Sequence, residues 1–275
     1  MEHNAKLLKV KKPAKAKTRL SSVANAIRII KVFSDEEYEI GISDLGKRLL
    51  LPKSTVHRLA STLVDAGMLE QNPETGKYRL GLTIFELGSL VRRKMDFSNE
   101  AKPYLMELRE KTGETVLLAV LEHGSMLVIN SLESKYSVRM TVDVGVRRHA
   151  CYTAGGKALL AFQSSDYIDQ VIAEGWPAVT ENTITDPAAF RQELANIRSS
   201  GYALDDEEGE IGLRSIAVPI RDHGGNVVAA VSVVGPSQRL TKRILASYVS
   251  DVVSAGEAIS LRLGYQPLRT SRRRA

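Results

Sequence analysis

One stretch gathers side chains that can read DNA: Lys53-Ser-Thr-Val-His-Arg58, directly after Pro52. The guanidinium of Arg58 can donate twice to guanine, at O6 and N7. Ser54, Thr55 and His57 offer shorter donors and acceptors for base edges or phosphate. Lys53 and the free N–H groups of a helix start suit phosphate. Such residues need a helix beneath them, and the spacing predicts one. Val56, Leu59, Ala60 and Leu63 recur at i, i+3, i+4 and i+7, the pattern of a buried stripe. At about 100° per residue, Ser54, Arg58, Ser61 and Asp65 point the opposite way. Pro52 fits the first turn, where its missing N–H would have no partner. An ordinary solvated helix face has a similar composition, so the neighbouring elements must decide.

Those neighbours form a pattern. Ser21 or Ser22 caps a helix to about Phe33, with Val23, Ala26, Ile27, Ile30 and Phe33 on one face. Ser43 can cap a second short helix, Asp44–Leu49, and Leu50-Leu51-Pro52 makes a sharp connection into the third. Two short helices joined this way make a helix-turn-helix. Gly67 suits the position after a helix C-terminus. Met68–Gln71 and Lys77–Leu80 then flank the turn Asn72-Pro-Glu-Thr-Gly76, a hairpin placed as the wing of a winged helix. Lys77 and Arg79 on that wing reach the DNA backbone, unless they are only a solvated strand face. A monomer reads too few bases for a unique address, so a dimer on a near-palindrome is expected, with affinity falling steeply as salt rises.

From Ile84 to Lys94 the chain reads as a linker helix. Ser98 or Asn99 caps a helix to Thr112, with Ala101, Leu105 and Leu108 buried. Strands are expected at Thr115–Glu122, Met126–Leu132, Ser137–Val144, Tyr202–Asp206, Leu213–Arg221 and Asn226–Val234. Helices are expected at Gly155–Phe162, Ser165–Ala173, Pro187–Ser200 and Leu240–Leu263. The last has Ile244, Val249, Val252, Val253 and Ile259 as apolar candidates. Strands and helices that do not strictly alternate indicate α+β with an antiparallel sheet. Within this half, Cys151-Tyr-Thr-Ala-Gly-Gly-Lys157 is a small-residue loop feeding a helix, whose N–H groups can hold a carboxylate. It lacks the glycine and Ser/Thr positions of a phosphate-binding Walker loop. His149 and Cys151, alternating on an extended segment, could bind a metal or supply a thiol nucleophile. With no further ligand evident, a buried cysteine at a pocket edge is preferred and no metal or cofactor is expected.

The composition, 43% hydrophobic and 25% charged over 275 residues, allows two globular domains. The net charge of +6 is unevenly placed. Residues 1–20 carry a net +6 and the arginines of 269–275 add +4, leaving −4 between. Basic ends beside an acidic body make loose phosphate contacts or act as disordered solubilising tails. A single cysteine excludes an internal disulfide and fits a reducing cytoplasm. No apolar run of membrane-spanning length and no secretory h-region is read.

Residues 22–82 resemble the IclR family of bacterial transcription regulators. The resemblance is carried by Ile42-Ser-Asp-Leu-Gly46, Leu51-Pro-Lys-Ser-Thr-Val-His-Arg-Leu59, Gly67 and Glu74-Thr-Gly-Lys-Tyr-Arg-Leu-Gly81. The second half resembles the family's effector-binding domain through Thr112-Gly-Glu-Thr115, Gly156-Lys-Ala-Leu-Leu-Ala161, Gly201-Tyr-Ala, Asp206-Glu-Glu, Gly212-Leu-Arg214, Ser232 and Gly235-Pro236. The resemblance implies an α+β chain: a winged helix-turn-helix at 21–82, a linker helix at 83–97, and a GAF-like domain at 98–268 with an antiparallel sheet flanked by helices. It implies homodimers or homotetramers, and a small effector held by Thr153, Ala154, Asp205, Leu213, Ser215 and Ser232. Some members have a serine where this chain has Val234, which implies a less polar ligand or a missing hydrogen bond. The expected function is a sequence-specific regulator of operator DNA, repressor favoured over activator, controlled by an organic-acid-like effector in the cytoplasm. The alternative is an enzyme acting on a small carboxylate through the C-terminal domain. For that alternative no general base stands at a convincing spacing beside a nucleophile.

Overall fold

The computed structural model describes residues 21–34, 37–94 and 96–266, the side chains of 21 and 91–97 apart. The tails read at 1–20 and 269–275 lie outside them. The chain divides into two compact units at Lys94/Met95.

In the first unit, α1 (Ser21–Ile30), α2 (Ile42–Leu49) and α3 (Lys53–Asp65) precede a hairpin of β1 (Leu69–Gln71) and β2 (Tyr78–Leu80), and α4 (Leu82–Lys94) follows. The stripe of α3 is buried as its spacing requires: Val56, Leu59, Ala60 and Leu63 pack with Ile29, Leu45, Leu49, Leu69 and Tyr78. Each large apolar side chain so buried contributes about 1.5–3 kcal/mol. Between α2 and α3, Leu50 takes a left-handed φ of 55° and closes α2 through its N–H to Lys47 O. Pro52 is the N-cap of α3, its carbonyl accepting from Thr55 and Val56. Two local expectations fail. Gly41, not Ser43, precedes the first residue of α2. On α1 the buried residue is Ile29, while Val23 and Ile27 are about half exposed. The inward face is therefore Ala26, Ile29, Ile30 and Phe33, because α3 and α2 meet only the later part of the helix.

In the second unit, α5 (Asp96–Thr112) begins ahead of both expected caps, Ser98 and Asn99, which lie inside its first turn. Six strands follow in the order β5-β4-β3-β8-β7-β6, each pair antiparallel: β3 (Thr115–Glu122), β4 (Ser125–Leu132), β5 (Arg147–His149), β6 (Ala203–Asp206), β7 (Leu213–Arg221) and β8 (Val227–Pro236). Period-two alternation splits the side chains between two cores. Val116, Leu118, Ile216, Val218, Val231 and Val233 face α5 and α9 (Lys242–Arg262). Leu117, Ala119, Met126, Ala217 and Ala230 face α6 (Ala154–Leu160), α7 (Ser165–Glu174) and α8 (Pro187–Ser200).

The strand expected at Ser137–Val144 does not form. The edge of β4 is taken by β5 instead, with Met126 opposite Arg148. The 137–144 segment crosses over the sheet, tied by Thr115 Oγ1 to Met140 O at 2.6 Å, with Val138 and Val144 exposed and Met140 and Val142 turned inward. On α9, Leu245 is buried and Ile244 partly exposed, one position from the expected stripe. This helix is also long and apolar enough to cross a membrane by length and composition. Its Leu245, Val252, Gly256 and Ile259 are spent on the sheet, as in the core helix of a globular domain.

Candidate DNA-reading surface and effector cleft

On α3, Lys53, Ser54, His57 and Arg58 are exposed and Thr55 is half-buried, all off the buried stripe. Lys53 and Arg58 make no ion pair with any described residue. Two other arginines among the described residues of this unit behave differently. Arg28 bonds Asn25 and the carbonyl of Leu49, and Arg48 is forked onto Glu37.

The wing separates its two expected contacts. Asn72 Oδ1 accepts from the N–H groups of Glu74 and Thr75, and Gly76 turns back at φ 67°, which leaves Lys77 exposed and unpaired among the described residues. Arg79 stands opposite Glu70 across the hairpin. It is held by Glu70 at 2.9 Å and Glu39 at 3.6 Å, which satisfies its charge inside the domain. Cross-strand pairing therefore competes with the phosphate role read for Arg79, a competition visible only once the register is known.

The second site is a cleft of about 810 Å³, open mouth included, on the α6 side of the sheet. Thr153, Asp205, Leu213, Ser215 and Ser232 line it. Ala154 does not; it is fully buried, and the neighbouring Gly155 forms that part of the wall. The small residues of the loop have a steric cause. A Cβ on Gly156 would lie 2.3 Å from Ala150 Cα, and one on Gly155 2.6 Å from Met126 Sδ. Thr153 caps α6 through Oγ1, which accepts from Gly156 N at 3.2 Å.

Opposite the loop, Asp205 Oδ1 accepts from Glu208 N at 2.9 Å and Oδ2 accepts the Ser215 hydroxyl at 3.2 Å. Burial and then the nearby Glu208 carboxylate push its pKa up to about 6. Ser215 pairs in register with Val234, which lines the cleft with Leu117, Met140 and Val142 as an apolar floor.

Sequence reasoning missed Arg148. Along β5, Arg147 is paired with Glu122, while Arg148 alternates to the Met126 side and lines the cleft without a carboxylate partner among the described residues. The available signal is alternation through Arg147-Arg148-His149, obscured by the longer alternating stretch Ser137–Val144 just before it.

His149 and Cys151 do not form a reactive pair. His149 Nδ1 accepts from Cys151 N at 3.3 Å, and its ring packs against Tyr152 and Trp176. Burial pushes the Cys151 thiol up to about 12, with Lys157 only partly opposing. Such a thiol stays protonated at neutral pH and is not a nucleophile. No metal-holding cluster of His, Cys, Asp and Glu occurs among the described residues.

Beneath the loop, Lys157 is fully buried, with Nζ 2.5 Å from Glu208 Oε1 and 3.3 Å from Glu193 Oε1. Glu208 Oε2 is buried without a hydrogen-bond partner among the described residues, and burial raises the pKa of this carboxyl while Lys157 lowers it.

Residues 22–73 match the family model described as the IclR helix-turn-helix domain, and residues 90–261 match the bacterial transcriptional regulator IclR C-terminal model. The HTH-type transcriptional regulator KdgR of Escherichia coli is 38% identical over 248 residues, covering 90% of this chain and 94% of KdgR. The transcriptional repressor IclR of the same organism is 28% identical over 254 residues, covering 91% and 93%. An IclR homologue from Microbacterium hydrocarbonoxydans, solved in complex with 4-hydroxybenzoate, superposes with a TM-score of 0.78 at 32% identity, covering 88% of this chain and 99% of that one. These relatives are regulators of transcription, so the enzyme alternative is set aside. With both domain models matched in order, the chain belongs to the IclR family of DNA-binding bacterial transcriptional regulators.

Proposed function

We propose that this regulator is a repressor that lays α3 in the major groove of its operator and is released by a small carboxylic acid bound in the cleft. The observation that carries the DNA half is the exposed, unneutralised Arg58 on a helix whose other face is fully buried. Lys53, Ser54, Thr55 and His57 contribute base or phosphate contacts, and Lys77 touches the backbone from the wing. Arg79 orders the wing in the free protein and reaches phosphate only by leaving Glu70. The exposed apolar side chains of α1 (Val23, Ile27) and α4 (Leu82, Phe85, Leu87, Leu90) favour a homodimer or homotetramer, since monomers rarely leave such rows uncovered. A regulator of this type works in the cytoplasm.

For the effector, a cleft with an apolar floor, hydroxyls at Thr153, Ser215 and Ser232, and a guanidinium at its edge suits an acid with an apolar body. The 4-hydroxybenzoate held by the Microbacterium homologue has this chemistry. Ala154 contributes through its backbone. Operator, selected from a random pool, is titrated by fluorescence anisotropy with and without aromatic and aliphatic monocarboxylates first ranked by thermal shift. At least one is expected to weaken operator binding by about 5- to 150-fold, and Arg148→Ala to abolish its thermal shift with the fold intact. Acids that bind the cleft yet leave operator affinity unchanged would overturn the proposal.

A further inference from the structure

The helix that begins at the effector loop ends in a second groove. This groove, about 1010 Å³ with its open mouth, is lined by Phe162, Arg198, Pro219, Arg221, Glu257 and Tyr265 among others. Both arginines hold the exit of α6. Arg198 Nε donates to the carbonyl of Ala161, the C-cap of the helix. The Arg221 guanidinium lies 4.4 Å over the ring of Phe162, the next residue, and its Nη1 donates to Gly225 O at 2.8 Å.

Neither guanidinium has a carboxylate partner among the described residues. Arg147, Arg214, Arg239 and Arg262 of the same unit are all paired. Glu257 borders the groove but pairs with neither. An arginine fixed by a carbonyl or a ring keeps unused N–H donors in a fixed plane. Two of them in one concave, partly apolar groove form recognition chemistry for a compact anion with two charges.

We infer that this groove is a second ligand site, for a compact dianion such as a phosphate monoester or a dicarboxylate, and that its occupancy is felt by α6. The seven-residue helix is about 10 Å long, so the groove and the effector loop are its two ends. An anion held by the free N–H groups of Arg198 fixes the side chain that is bonded to Ala161 and so alters the anchoring of the helix that carries Thr153 at its N-cap. The anion site itself does not depend on the effector reading of the cleft.

The test is calorimetric titration of the full chain with inorganic phosphate and, separately, succinate. One site per chain is expected for at least one of them. Phosphate alone assigns a phosphate monoester, succinate alone a dicarboxylate. Arg198→Ala should weaken binding by about 10-fold or more. Glu257→Gln, which touches neither arginine, should strengthen it by about 3- to 10-fold, so the inference does not depend on one variant that could misfold. Arg148→Ala should lower the affinity of acids for the effector cleft but leave the affinity of this groove for phosphate as it is. Hydrogen exchange in the peptide spanning 154–162 should shift on saturation. No binding of either probe up to about 10 mM, or binding indifferent to both Arg198→Ala and Glu257→Gln, would overturn the site. Unchanged exchange across 154–162 would overturn its link to α6.

Discussion

Replacing Lys157 with methionine tests whether the effector loop rests on a buried charge pair. Lys157 is fully buried and lies 2.5 Å from Glu208 and 3.3 Å from Glu193. Removing the cation strands Glu208, whose second oxygen already lacks a hydrogen-bond partner among the described residues. Breaking such a pair from one side costs about 3–5 kcal/mol, because a desolvated charge is left behind. In a domain of this size that corresponds to roughly 6–20 °C in Tm. The penalty has a ceiling, since Glu208 can take up a proton. Burial raises its pKa and Lys157 is the main opposing influence, so in the variant it rises further above the unfolded value. A raised pKa in the folded state means stability falls as pH rises. The deficit against wild type should therefore be largest near pH 8 and shrink toward pH 5. Lys157→Met with Glu208→Leu should recover most of the loss, since an apolar pair of similar volume is often no worse than a buried ion pair. Urea denaturation of all three proteins at both pH values measures this. A single-variant loss under about 1 kcal/mol at pH 8, or one independent of pH, would refute the reasoning.

Other consequences follow from the same geometry. Asp205 has a folded pKa of about 6 against an ordinary 3.8, so the folded state binds its proton more tightly and stability falls as pH rises between those values. Asp205→Asn should stabilise the protein at pH 7.5 by about 1–3 kcal/mol and make no difference below pH 3.8; equal stabilisation at both pH values would contradict the assignment. Cys151, with its thiol pushed up to about 12, should resist alkylation at pH 8 until the protein is unfolded; rapid labelling of the native chain would show the thiol to be accessible. Lys77→Ala should weaken binding to all DNA sequences and reduce the salt slope by about 1. Arg79→Ala, whose charge is met by Glu70 and Glu39, should change the slope less; equal effects would return Arg79 to the phosphate contacts.

Much of the fold was legible because local signals agreed with tertiary need. Pro187–Ser200 is a helix between the residues expected, since Asp186 caps it, Pro187 opens it and Gly201 closes it at φ 81°. The α3 stripe was readable because a short helix with one apolar face has a single way to bury it. What failed depended on partners distant in sequence. The apolar residues of α1 spread around much of the helix, and only the packing of α2 and α3 decides that Ile29 is inside. Ser137–Val144 has the alternation of a strand, but β5 occupies the edge it would have used. Arg148 entered the cleft, and Arg79 turned to Glu70, through registers that no local pattern encodes. Five residues of the effector set line one cleft because the resemblance carried long-range information that spacing alone lacks.

The central claim is that Arg58 reads a base. The most direct measurement is the affinity of wild type and Arg58→Ala for the selected operator and for operators changed one base pair at a time. The wild type should lose about 1–3 kcal/mol at one guanine position when it is changed, and the variant should bind the intact operator about 5- to 150-fold more weakly while becoming indifferent there. A variant that still discriminates at every position as the wild type does would contradict the account.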